Sequence, residues 1–130
     1  MKGEPSNQPR PGGALQRFLQ GFVYAGKGIC SFVRSERNAR FHCLAIAVVT
    51  AAGFCFGISR GEWIAVVLCF GMVLAAEGFN SAIERLVNLV SPGRNPLAGD
   101  IKDVAAGAVL VCAIAAAVVG LIIFLPYLLP

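Results

Sequence analysis

The chain has 130 residues, of which 57% are hydrophobic and only 14% are charged, with a net charge of +4. This length fits one domain, and so few charged residues exclude an ordinary water-soluble globular protein. Residues 41–59, 63–76 and 104–130 contain no Asp, Glu, Lys or Arg. Uncharged stretches of this size are typical of membrane-spanning segments, and we expect no nucleic-acid partner.

The N-terminal part predicts a disordered tail followed by an amphipathic helix. Residues 1–13 are rich in proline, glycine and polar groups, a composition that favours disorder. From residue 14 to about 35, apolar residues recur at helical spacing while polar and basic residues follow another stripe. This pattern predicts a helix that lies on the membrane surface, with Arg17, Lys27 and Arg34 facing headgroups or phosphates.

Three apolar segments predict transmembrane helices, at about residues 39–58, 62–90 and 101–125. Each is close to or above the roughly 20 residues needed to cross a bilayer. Residues 91–96 contain two prolines and a glycine and should end the second helix. We place the start of the third near Ile101, since acids suit the positive end of a helix dipole. Residues 14–130 therefore form one all-α, membrane-embedded domain.

Basic residues are distributed unequally around these spans. Of the eleven Lys and Arg residues, only Arg60 lies between the first and second spans, and the other ten flank the opposite ends. The positive-inside rule then places the N-terminus and the loop at residues 91–99 in the cytoplasm. The protein should therefore be a multi-pass membrane protein.

Glu77, Asn80 and Glu84 are the most informative polar residues, because their spacing puts them on one face of the second span. Counting about 1.5 Å per residue from Trp63 at the outer boundary, Glu77 lies about 21 Å into a hydrocarbon core about 30 Å thick. An acid at this depth costs on the order of 3 kcal/mol and should face other helices or water. The alternative is a protonated, purely structural Glu bonded to a neighbouring amide or hydroxyl.

Two further charged clusters stand at the predicted cytoplasmic end. Glu36 either forms a salt bridge with Arg40 or, together with Glu84, holds a divalent cation through carboxylate oxygens. Residues 100–103 include Lys102 and either bind a phosphate or simply cap a helix. His42, the single histidine, is predicted to be a packed residue rather than a ligand.

Two functional classes fit these residues. The first is an enzyme that transfers phosphate to a lipid headgroup, and the second is a small proton- or ion-coupled carrier that uses Glu77. A carrier has no need of acidic and basic clusters at the cytoplasmic end, so their presence favours the enzyme.

Three motifs resemble the prokaryotic diacylglycerol kinase and undecaprenol kinase family. They are E-x-x-N-S-A-I-E at residues 77–84, D-I-K-D-x-A-A-G-A-V at residues 100–109 and S-E-R-N-x-R-x-H at residues 35–42. The resemblance covers about residues 15–124. It implies a surface helix and three membrane helices, a homotrimer with active sites shared between subunits, and magnesium-bound ATP as the phosphate donor. The implied acceptor is diacylglycerol or undecaprenol in a bacterial cell membrane, and the motifs at residues 35–42 and 100–103 favour a polyprenol.

The resemblance also implies roles for individual residues. Glu77 matches the general base, with Asn80 beside it, and Glu36 and Glu84 match the metal-binding acids. Arg17, Arg40 and Glu77 are expected to contact the lipid. The expected nucleotide-binding residues are Arg17, Tyr24, Glu36, Glu84, Gly93, Arg94, Asn95, Lys102 and Asp103. Asn88 stands where an acid is frequent in the family.

Overall fold

The structure, a computed structural model, describes residues 12–129. This part of the chain forms four helices, namely α1 (Ala14–Ser35), α2 (Arg37–Phe56), α3 (Arg60–Val90) and α4 (Pro96–Leu128). Helices α2, α3 and α4 are each long and apolar enough to cross a membrane, which confirms the predicted all-α membrane fold. The predicted tail at residues 1–13 lies almost entirely outside the described residues.

Helix α1 belongs to an N-terminal unit that extends to Ser31. It is strongly amphipathic and has no buried residue. The rings of Phe18 and Phe22 meet edge to face at 5.2 Å, and the ammonium group of Lys27 lies 6.0 Å from the centre of the Tyr24 ring. A helix with such a pattern needs an apolar surface to cover its apolar face.

The turn between α2 and α3 depends on two glycines. Gly57 adopts a left-handed φ of 64° and ends α2, a conformation that glycine adopts without a steric penalty. The Ile58 N–H donates to the Gly53 carbonyl at 3.1 Å and closes the helix end. A Cβ atom at Gly53 would lie only 2.7 Å from the Trp63 ring, so the close approach of α2 and α3 requires glycine at this position.

Helix α3 begins with a capping box. The Ser59 hydroxyl accepts from the Glu62 N–H at 3.3 Å, and the Glu62 carboxylate accepts from the Ser59 N–H at 2.7 Å. The Tyr127 hydroxyl at the end of α4 donates to the same carboxylate at 3.0 Å. These bonds satisfy orphan groups of the helix start and join it to the end of α4.

A small apolar core lies near this end of the helices. Its buried members are Ile58, Val66 and Ile123, and the partly buried Trp63 and Phe124 pack against it. The ring of Tyr127 stacks on that of Phe56, with 5.8 Å between centroids. The aromatic residues Trp63, Phe124 and Tyr127, which flank the predicted outer boundary, therefore lie at one end of the bundle.

Helix α4 begins at Pro96 rather than near Ile101. The Asn95 side chain accepts from the Leu97 N–H at 3.0 Å and from the Ala98 N–H at 3.4 Å, which makes Asn95 the N-cap. Proline is favoured immediately after a cap, since it has no N–H to satisfy and its φ suits a helix. The asparagine and proline therefore set the helix start, not the acids that follow.

Helix α3 packs extensively along α4 and less extensively on α2. Its buried residues, Val66, Val73, Glu77 and Ser81, recur at helical spacing and mark one face. The face is apolar toward the aromatic end and polar toward the end where α4 begins. The polar half of this face carries the candidate site.

Candidate active site

Glu77 is the buried acid of this face, with only 4% of its surface exposed. Its Oε1 atom lies 3.2 Å from Nε2 of His42 on α2, and the His42 side chain is 20% exposed. The prediction that Glu77 faces another helix is therefore confirmed. A buried acid with a hydrogen-bond partner is tolerated in an apolar environment, where an isolated one is not.

Asn80 lies one turn along α3 from Glu77. Its Oδ1 atom is buried and has no hydrogen-bond partner among the described residues, while the adjacent Ser81 is itself 5% exposed. Leaving a buried acceptor unpaired costs about 1–3 kcal/mol. Such an atom is available to an external donor or a cation, and it stands beside the buried acid.

A second polar contact joins α3 to the junction between α1 and α2, where Ser35 ends α1 and Glu36 caps α2. Nη2 of Arg85 donates to Oγ of Ser35 at 2.5 Å and to Oε1 of Glu36 at 3.3 Å. Glu36 thus pairs with Arg85 on α3 and not with Arg40, whose N–H bonds to the Glu36 carbonyl at 3.3 Å. The pair is partly exposed, so its contribution to stability is small.

Glu84 is exposed on α3, immediately before Arg85 in the chain. The Arg85 contact therefore brings the segment that carries Glu84 to the start of α2, where Glu36 lies. Among residues 12–129, no group of three or more His, Cys, Asp or Glu side chains is placed to hold a metal ion. Magnesium that is bound to phosphates usually takes only one or two protein carboxylates, and the role of Glu36 and Glu84 as its ligands stays a prediction.

The start of α4 carries the remaining polar candidates. Lys102 donates from Nζ to Oδ1 of Asn88 on α3 at 2.6 Å, which links the two helices on either side of the loop. Gly93, Arg94 and Asp103 are exposed, whereas the Asn95 side-chain oxygen is engaged as the α4 cap. The structure thus places a lysine, an arginine and an acid around one short loop.

Three further residues of the predicted site lie exposed on α1 and α2. Arg17 and Tyr24 are exposed on α1, in the N-terminal unit. Arg40 is exposed on the first turn of α2, next to the buried Ala39. Their predicted contacts with lipid and nucleotide stay predictions.

An apolar cavity of about 260 Å³ lies between α2, α3 and α4 and extends from His42 toward the aromatic end. Its wall includes Ile46, Val73, Ala116 and Phe124. Of the described lining residues, only His42 has a side-chain nitrogen or oxygen atom. The polar site therefore borders directly on an apolar space.

Residues 23–124 match the sequence model of the family described as prokaryotic diacylglycerol kinase. The chain belongs to this family. Membership identifies it as a membrane lipid kinase and does not favour the carrier alternative.

Named relatives show the same relationship. An undecaprenol kinase of Bacillus subtilis is 44% identical over 114 residues, which cover 88% of this chain and 93% of the relative. A diacylglycerol kinase of Synechocystis sp. is 41% identical over 118 residues, which cover 85% of this chain and 64% of the relative. A diacylglycerol kinase of Pseudomonas aeruginosa is 33% identical over 94 residues, which cover 72% of this chain and 76% of the relative.

The sequence pattern does not predict the contacts that His42 and Arg85 make in the candidate site. A single histidine gives no ligand pattern, so the sequence predicts only packing for His42, although it occupies the last position of S-E-R-N-x-R-x-H. Arg85 adjoins Glu84 in the sequence. No spacing rule predicts that its partner is Glu36, at the start of another helix. Both His42 and Arg85 are polar residues in or next to an apolar span. Such a position predicts that the residue has a polar partner but not which residue that partner is.

Proposed function

We propose that this protein transfers the γ-phosphate of ATP to the hydroxyl group of a membrane lipid alcohol at the cytoplasmic surface. The observation that carries the proposal is Glu77, a buried acid held by His42 on the same helix as the exposed Glu84. This arrangement offers a sheltered base to a lipid hydroxyl and acidic and basic groups to the nucleotide. Family membership supports the lipid kinase class.

The proposed chemistry assigns one step to Glu77. The lipid hydroxyl donates a hydrogen bond to the carboxylate, which takes the proton as the hydroxyl oxygen bonds to the γ-phosphorus. The bond from that phosphorus to the bridging oxygen of ADP breaks, and ADP leaves with the bonding electrons. Asn80 would orient the hydroxyl through its amide oxygen, which has no partner among the described residues, or the acid through its amide N–H group.

The nucleotide is proposed to bind at the end of the bundle where α4 begins. Glu36 and Glu84 would hold magnesium, which when bound screens the phosphate charges during transfer. Lys102, Arg94 and Asp103 would contact the phosphates or the rest of the nucleotide, with Gly93 and Asn95 shaping the loop. Arg17 and Tyr24 would approach the phosphates from α1, and Arg40 would meet the lipid headgroup.

We favour undecaprenol over diacylglycerol as the acceptor. The relative named undecaprenol kinase is 44% identical and is matched over 93% of its length, whereas the diacylglycerol kinase of Synechocystis is matched over 64%. Incubation of the purified protein with labelled ATP and each alcohol in turn tests this choice. Faster labelling of diacylglycerol at equal concentrations would reverse it.

We also propose that the active unit is a homotrimer with the N-terminus in the cytoplasm. The support for the trimer is the resemblance to the kinase family, in which neighbouring subunits share active sites. The support for the orientation is the single basic residue, Arg60, in the turn between α2 and α3, against ten elsewhere.

A further inference from the structure

His42 is the hydrogen-bond partner of the proposed base, and the resemblance to the kinase family implies no role for it. The contact joins Nε2 to Oε1 of Glu77 at 3.2 Å and links α2 to α3. The next residues on this face of α2, Ala45 and Val49, line the apolar cavity together with His42. His42 is thus the last polar group before the cavity becomes entirely apolar.

We propose that His42 is a positioning residue that holds Oε1 of Glu77 and leaves Oε2 free for the lipid hydroxyl. The inference rests on the proposed base role of Glu77. An ionised carboxylate only accepts hydrogen bonds, so the nitrogen that faces it must carry a proton. His42 therefore donates from Nε2–H, and its Nδ1 atom is turned away from the acid.

The low solvent exposure of both side chains allows this bond to orient the Glu77 carboxylate. The Glu77 side chain is 5% exposed and that of His42 is 20% exposed, so little water competes for either group. A hydrogen bond is stronger in an environment of low polarity than in water. With one oxygen held, the carboxylate keeps a single orientation on α3 and its other oxygen has no partner among the described residues.

The imidazole spectrum tests the contact directly, because the chain has one histidine. Nitrogen-15 NMR of the histidine-labelled, active protein in lipid should show a protonated Nε2. Its resonance should shift in Glu77→Gln. An Nε2 atom that carries no proton in the unaltered protein would overturn the proposal, whatever the behaviour of any variant.

Kinetics test the positioning role. His42→Leu should lower kcat by about 10- to 100-fold, the scale expected for a misplaced catalytic group, and leave the KM for ATP within about twofold. His42→Gln, which retains an N–H donor, should recover most of the lost turnover. A purely structural role predicts that both variants lose stability and nucleotide affinity as well.

A double variant separates this inference from the proposed function. Once Glu77→Gln has removed the base, adding His42→Leu should lower the residual rate no further. An equal loss in both backgrounds, or His42→Leu turnover within about twofold of the unaltered protein, would overturn the positioning role. Full activity of Glu77→Gln would instead remove the base role itself, while the NMR result would still report the contact.

Discussion

Glu77 faces α2 from the buried side of α3, and only one of its two oxygens has a partner on the described part of the chain. Its neighbour Asn80 has a buried oxygen with no partner there. Most buried acceptors in proteins have a hydrogen-bond partner, in the protein or in ordered water. At the residue scale, the proposed function has the substrate hydroxyl bind beside these atoms.

Replacement of Glu77 by glutamine should remove the base and preserve the shape of the site. We expect kcat to fall by about 100- to 10,000-fold, the usual range for loss of a general base, with little change in nucleotide affinity. Initial rates at saturating ATP and lipid, with calorimetric nucleotide titration, measure both quantities. Glu62→Gln on the same helix is the matched control, since Glu62 caps the opposite end of α3, and its kcat should stay within about threefold.

The acids at the nucleotide end should control the response to magnesium. Glu36→Gln and Glu84→Gln should each raise the magnesium concentration for half-maximal rate by about tenfold or more, because each removes a hard oxygen ligand. Magnesium titrations at fixed ATP supply the measurement, with Glu62→Gln again as control. Unchanged dependence in both variants would show that these carboxylates do not hold the ion.

The residue pattern predicted Glu77 better than it predicted its partners. Depth from Trp63 and the spacing of Glu77, Asn80 and Glu84 are properties of one helix, which the sequence contains in full. The contacts of Glu77 with His42 and of Glu36 with Arg85 join different helices. Such pairs depend on how α2 packs on α3, and periodicity does not determine that packing.

At the element scale, the turn that joins α2 to α3 fixes how these helices approach. Gly53→Ala should destabilise the protein by about 1–3 kcal/mol, the range for overpacking, because the new Cβ would lie 2.7 Å from the Trp63 ring. Gly71→Ala on α3 is the control, since no atom beyond the adjacent backbone of its own helix lies within 4 Å of the added Cβ.

Thermal unfolding in one detergent compares the two glycine variants. Gly53→Ala should unfold at lower temperature than the unaltered protein, and Gly71→Ala at the same or a higher one, because alanine favours a helix over glycine. Equal unfolding temperatures for the two variants would mean that Trp63 does not pack on Gly53 as described.

The element boundaries show why sequence reasoning succeeded at one loop end and not at the other. Breaker residues after Val90 predicted the end of α3. The helix-dipole argument from Asp100 and Asp103 predicts a start of α4 that is too late. Asn95 caps the helix and Pro96 is its first residue. A capping asparagine followed by proline is a strong local signal for a helix start. Here it lies within residues 91–96, whose prolines and glycine also predict the end of α3.

At the scale of the whole molecule, the three apolar helices require a defined orientation in the membrane. A cytoplasmic N-terminus and three spans place the C-terminus outside. A C-terminal fusion to an enzyme that is active only in the cytoplasm should be silent, and an N-terminal fusion should be active. Strong activity from the C-terminal fusion would contradict this orientation.

Phosphate transfer to lipid is the most direct test of the account. The purified protein, reconstituted in vesicles with undecaprenol, magnesium and ATP labelled at the γ-phosphate, should place the label in a lipid-soluble phosphate monoester. Glu62→Gln should do the same, and Glu77→Gln should not do so at a comparable rate. Label recovered only as free phosphate, or no transfer to either undecaprenol or diacylglycerol alongside a proton flux that requires Glu77, would contradict the lipid kinase assignment.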